Sequence, residues 1–116
     1  MDIRFVAHVA RGQGVNERLA DHARHRLQFR LRHRAERLAH VSVSVGDTRR
    51  DRDRQEAFCV MQIQVRNAPA ATVVEVGADA CDTIDRAADR AARLVEELLS
   101  VADAKQPMAR TLKVAA

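Results

Sequence analysis

Ile3, Phe5, Ala7 and Val9 alternate with Arg4, Val6 and His8 at the start of the chain, a period of two that predicts a strand. The stretch Arg11-Gly12-Gln13-Gly14 breaks that pattern. The period then lengthens: Ala20, Ala23, Leu27, Leu31, Ala35 and Leu38 recur at three- and four-residue steps, the buried stripe of one long amphipathic helix from Val15 to Leu38. Val41, Val43 and Val45 alternate with Ser42 and Ser44, giving a second strand with one dry and one wet face. Gly46 to Glu56 carries charge without an apolar period and is expected to be a solvated loop. Ala57, Cys59, Met61, Ile63 and Val65 mark a third strand, Asn67-Ala68-Pro69 a turn, and Thr72 to Val76 a fourth strand. Asp79 suits the N-cap of a last helix, whose stripe is Cys81, Ile84, Ala88, Ala91, Val95 and Leu98.

The order β-α-β-β-β-α predicts an α+β fold: a four-stranded sheet with both helices packed on one face, burying the two stripes together. The 116 residues suffice for one domain with a modest core. We expect that domain over residues 1–102 and a flexible C-terminal tail over 103–116, where a proline interrupts an aperiodic run.

Charge changes the picture more than composition does. The net charge is +4, but residues 11–54 hold twelve Arg against six acids, while residues 55–116 are net acidic. The polar face of the first helix is nearly one-signed: Arg18, Arg24, Arg26, Arg30, Arg32, Arg34 and Arg37, with His22, His25 and His33, face only Glu17, Asp21 and Glu36. Such a face repels itself and points to a polyanionic partner. Arg, which makes up eighteen of the twenty Lys and Arg residues, carries a planar fork suited to phosphate and able to stack on bases. Arg86, Arg90 and Arg93 recur along the second helix. With the helices side by side, both arginine sets are expected to line a shared surface.

Phe29 falls opposite the Leu27 stripe, amid His22, His25, Arg26, Arg32 and His33. An exposed aromatic in a basic field is what unpaired bases stack on; the alternative is packing against a loop or the second helix. Arg34 lies nearer the buried stripe than a helical wheel allows, so either it snorkels at the sheet edge or the helix shifts register near residue 30.

Other chemistries find little support. His22 and His25 have the spacing of two metal ligands but lack a third, so no metal is expected. Asp85 and Asp89 lie one helical turn apart with Arg nearby, which paired surface ions explain without acid–base catalysis. Cys59 and Cys81 suit packing in a reducing cytoplasm better than a disulfide framework. No phosphate-cradling Gly-rich loop, nucleophile elbow, signal peptide or membrane-spanning run is present. The expectation is a cytoplasmic, non-enzymatic protein without cofactor or small-molecule substrate, monomeric when unbound.

Roughly residues 1–99 resemble the ribosome hibernation promoting factor family, also called ribosome-associated inhibitors or ribosomal subunit interface proteins. The resemblance rests on the opening strand MDIRFVAHV, the basic helix leading into LAHVSVSV, and the closing run VEVGADACDTIDRAADRAARLVEEL, where Ile84-Asp85 and Asp89-Arg90 occupy the family's Ile-Asp and Asp-Lys/Arg positions. It implies a domain resembling the double-stranded RNA-binding fold, docked on ribosomal RNA of the small subunit in the mRNA/tRNA channel, blocking translation in stress or stationary phase. It places His25 and Arg26 at a basic pair of the first helix, Arg32 at a later basic position, and Arg90 and Arg93 at basic positions of the second. The full candidate set is His25, Arg26, Phe29, Arg30, Arg32, His33, Arg37, Arg86, Arg90 and Arg93. The chain departs from the family at Cys81, where an aromatic is common, and at Glu96-Glu97, where lysines usually cluster. The resemblance is therefore to an atypical, short branch of the family. The rival reading is a generic RNA- or acidic-protein-binding module with the same fold and no ribosome specificity.

Overall fold

The structure, a computed structural model, describes residues 2–7, 13–51 and 54–115. The elements are β1 (Asp2–Ala7), α1 (Gln13–Leu31), a 3-10 helix (Arg32–Arg37), β2 (Leu38–Asp51), β3 (Arg54–Val65), β4 (Ala71–Gly77) and α2 (Ala80–Ala115). The predicted α+β order holds. The expected end of the first strand at Val9 and the Arg11-Gly12 break lie outside the described residues.

The sheet runs β1-β2-β3-β4, with β1 parallel to β2 and the other pairs antiparallel. Register explains its two faces. Phe5, Val43, Met61 and Val73 stand in one cross-strand row, and Ile3, Val41, Ile63 and Ala71 in the next. Val41, Val43, Met61, Ile63 and Val73 are buried under the helices. The alternate positions, among them Val6, Ser44, Val60 and Val74, form the other face. A one-residue slip would exchange the two sets, so burial fixes the register.

From α1 the core receives Leu19, Ala23, Leu27 and Leu31; from α2 it receives Ile84, Ala87, Ala88, Ala91, Val95 and Leu99. The small residues of α2 let it lie close on β3 and β4. Asp79 caps α2 as expected: its carboxylate accepts a bond from the Asp82 amide at 3.0 Å, and its carbonyl accepts the Thr83 hydroxyl at 2.6 Å. Asn67 takes a positive φ of 63° in the β3–β4 turn, a conformation Asn tolerates. The Gln64 amide braces that turn by donating to the Ala68 carbonyl at 2.8 Å.

Two expectations change. The first helix does not stay α-helical to Leu38: it tightens into the 3-10 segment after Leu31. This register shift, not snorkelling at the sheet edge, explains the misfit of Arg34. The charged stretch 46–56 is not a loop but an extension of the hairpin, with Asp47 opposite Ala57 and Thr48 opposite Glu56; Arg52 and Asp53 lie outside the described residues. Backbone pairing, blind to side-chain polarity, carries both strands past the end of the core. At the other end of the chain, α2 keeps helical backbone past residue 102 to Ala115.

Candidate functional site

The polar flank of α1 meets α2 along a seam of ion pairs. His22 Nε2 lies 2.7 Å from Asp85 Oδ1, and Arg26 Nε 3.1 Å from the same oxygen. Arg30 Nε lies 3.2 Å from Asp89 Oδ1, with Arg26 Nη2 at 3.8 Å. Arg34 grips Glu96 with two parallel bonds of 2.9 Å, His33 Nε2 lies 3.2 Å from the same carboxylate, and Arg37 donates to Asp103 at 2.9 Å. Arg26 and Arg30 reach ion-pair distance, but their buried Nε atoms lack a well-aligned hydrogen bond. Arg34 and Glu96 are thus the best-formed pair. Hydrogen bonding from Arg34 leads the causes that hold the Glu96 carboxyl down to about 2. The same bond raises the Arg34 guanidinium above its ordinary value.

Partner numbers rise together along both helices, so α1 and α2 run parallel. Parallel macrodipoles place like ends together and repel. The seam opposes that repulsion, each half-exposed pair by the small amount that solvent screening leaves.

The expected shared arginine surface does not form. The flank of α2 facing α1 is acidic: Asp85, Asp89, Glu96 and Asp103. Arg86 and Arg90 turn instead to the edge strand β4. Arg86 donates to the Val76 carbonyl at 3.1 Å, and Arg90 to the Val74 carbonyl at 3.0 Å and to Glu75 at 2.9 Å. They cover backbone groups that an edge strand otherwise leaves open to pairing. Gly77 makes room for Arg86: a Cβ there would stand 2.1 Å from its Nη2 and 2.6 Å from Thr83 Oγ1. Arg93 lies beside a cleft of about 370 Å³ with Thr72, Val73, Arg90, Leu94 and Glu97.

The ten candidates therefore separate. Arg26, Arg30, His33 and Arg37 belong to the seam, and Arg86 and Arg90 to the β4 edge. His25, Arg32 and Arg93 are exposed and have no ion-pair partner among the described residues. Phe29 is 59% exposed rather than packed under a loop or the second helix, and the Arg32 guanidinium lies 5.8 Å from its ring centroid. Arg18, absent from the sequence-based set, is exposed on the same line of α1. Its spacing of seven residues before His25 and eleven before Phe29 is the signal that finds it.

Cys59 is buried, which pushes its thiol up to about 12, with the Glu75 carboxylate adding to the effect. Cys81 is half-buried. Among the described residues no group of three or more His, Cys, Asp or Glu side chains could hold a metal, and no helix is long and apolar enough to cross a membrane.

The parallel helix pair on one face of this mixed sheet defines an α+β domain of known kind. No family model and no curated protein matches the sequence. Solved structures do. The N-terminal domain of Thermus thermophilus Protein Y superposes with a TM-score of 0.63 at 19% identity, covering 84% of this chain and 98% of that one. A ribosomal subunit interface protein from Coxiella burnetii superposes with a TM-score of 0.64 at 10% identity, covering 86% of this chain and 99% of that one. The chain shares their fold from end to end of each domain.

Proposed function

We propose that this protein is a ribosome-associated factor of the hibernation type, acting in the cytoplasm by binding rather than by catalysis. One observation carries the reading: nearly the whole of a ribosomal subunit interface protein superposes on this chain. Arg18 on α1 and Arg32 just after it, exposed and without an ion-pair partner among the described residues, support it together with the sequence resemblance over residues 1–99. The finer reading is docking on ribosomal RNA of the small subunit, where a rigid domain occludes the mRNA/tRNA channel. The residues assigned first to that interface are His25, Phe29, Arg32 and Arg93, with Arg18 added. The seam residues Arg26, Arg30, His33 and Arg37 serve by setting the angle of α1, and Arg86 and Arg90 by closing the β4 edge. The binding domain is taken as residues 1–102, with the helix of α2 carried on past it through the Asp103 contact with Arg37.

Arginine–phosphate contacts release counterions, so binding weakens steeply as salt rises. The test is sedimentation of purified ribosomes with the protein at low and moderately high salt. Co-migration with small subunits or whole ribosomes, abolished at high salt, supports the reading. A protein that stays at the top of the gradient at low salt has the fold without the function.

A further inference from the structure

Arg18, His25 and Phe29 follow one another at steps of seven and four residues, which places them within roughly 40° of each other on α1, and Arg32, the first residue of the 3-10 segment, holds its guanidinium 5.8 Å from the Phe29 ring centroid. All four are exposed. They form a crest that runs roughly 17 Å from Arg18 to Phe29 and continues to Arg32, on the side of α1 turned away from the sheet. The neighbouring seam explains why this crest is distinct. His22, Arg26 and Arg30 are drawn toward the acids of α2, while Arg18, His25 and Arg32 have no such counter-ion among the described residues. Arg24, on the other flank, is already near Asp21 at 3.7 Å.

The ring at its centre is costly where it stands. The chain has three aromatic residues, all Phe, and no Trp or Tyr. Phe5 packs against the core and Phe58 is half-buried, but Phe29 leaves 59% of its surface in water. Its packing contributes little to the fold, and its neighbour Arg32 lies at cation–π distance.

We infer that the crest is a track for unpaired nucleotides, on which Phe29 stacks a single nucleobase while Arg18 and Arg32 hold phosphates on either side. The inference rests on the RNA-binding reading above and adds to it a preference for single strands over duplex. A base inside a duplex hides its π-face, so a helix crest can touch only the backbone there. An unpaired base offers that face to Phe29. A purely electrostatic crest would not distinguish the two forms in this way.

The full-length Phe29→Trp variant supplies the probe, because the parent chain has no tryptophan. It is titrated with a short oligoadenylate, with the same oligomer paired to oligouridylate, and with polyglutamate. The expected result is fluorescence quenching by the single strand only. In parallel binding measurements on the otherwise native chain, Phe29→Ala and Phe29→Leu should each weaken single-strand binding about tenfold and leave duplex binding unchanged. Leu keeps an apolar side chain but loses the ring, which separates stacking from simple burial. Salt-sensitive RNA binding with no quenching and no loss in either variant would overturn the stacking site and leave the RNA reading standing. No binding of any RNA at low salt would overturn both. Quenching by polyglutamate as strong as by RNA would show the crest to be a site for an acidic protein, and the inference would fall.

Discussion

Two flanks of α1 and its 3-10 continuation carry the same residue types and have opposite fates. On the inner flank, Arg26, Arg30 and Arg34 face Asp85, Asp89 and Glu96 at distances near 3 Å. On the outer crest, Arg18, His25 and Arg32 face water. Counting charge along the helix merges the two and overstates what a partner can use. Cations already paired to carboxylates keep little field at range, and moving them costs the pairing. The inner flank therefore orients the helices, and the crest is what a polyanion meets first.

Charge reversal separates the flanks most sharply. Arg26→Glu would set a third carboxylate against Asp85 and Asp89, at a position where the side chain is 34% exposed. We expect a loss of about 1–3 kcal/mol in urea unfolding. Arg32→Glu, on the crest, should change stability by less than about 0.5 kcal/mol, yet lower affinity for ribosomes or RNA several-fold. Equal destabilisation by both substitutions would erase the distinction.

A smaller effect is expected at the β4 edge, where arginine again serves the fold. Gly77→Ala would drive a methyl group into Arg86 and Thr83. The guanidinium can swing away, but the Thr83 hydroxyl is bonded to the Asp79 carbonyl and yields less easily. The substitution should cost about 1 kcal/mol by thermal unfolding, with Arg86→Ala costing less because it removes only an exposed bond to the Val76 carbonyl and creates no clash. If Gly77→Ala were neutral, Arg86 would not be held on β4, and it would return to the set available to a partner.

The sequence made the fold legible because each element carries a period that matches its burial. Leu27 and Leu31 on α1, Val41 and Val43 on β2, and Ile84 and Val95 on α2 all sit where periodicity places them. Residues 46–56 were illegible for the converse reason: alternating Arg and Asp give no apolar period, and the backbone pairing that extends the hairpin there leaves no apolar mark on the sequence. The 3-10 segment left one trace, the misplacement of Arg34. At the site, the exposure of Phe29 was readable from the wheel. The seam was readable only in part. Asp85, Asp89, Glu96 and Asp103 recur at steps of four and seven along α2, a stripe as regular as the apolar one. Which helix flank it faces depends on the parallel packing of α1, a tertiary fact that no local pattern states.

A crest and a seam also predict different salt behaviour. Removing one arginine that neutralises a phosphate should lower the slope of log K against log salt by about one. Arg32→Ala should therefore flatten the slope for ribosome binding by that amount, with stability unchanged. Arg30→Ala should leave the slope alone, since its partner is Asp89 and not a phosphate. Equilibrium sedimentation across a salt series measures both. A flattened slope in Arg30→Ala would place the inner flank in the interface.

The finest contrast lies at Glu96. Its carboxyl sits at about 2 against an ordinary 4.5, chiefly through the bonds from Arg34, with His33 adding to them. The folded value is the lower one, so the pairing contributes stability above pH 4.5 and loses it as pH falls toward 2. The Glu96 side chain is 47% exposed, so solvent screening keeps that contribution small. The sensitive readout is the titration itself. Side-chain carboxyl NMR should show Glu96 titrating near 2 in the native chain and moving upward in Arg34→Ala, while Arg32→Ala leaves it in place. A Glu96 carboxyl that moved equally with both substitutions would be answering to the general positive field of α1. The seam would then be a diffuse attraction rather than a set of fixed pairs, and the division between the flanks of α1 would lose its structural basis.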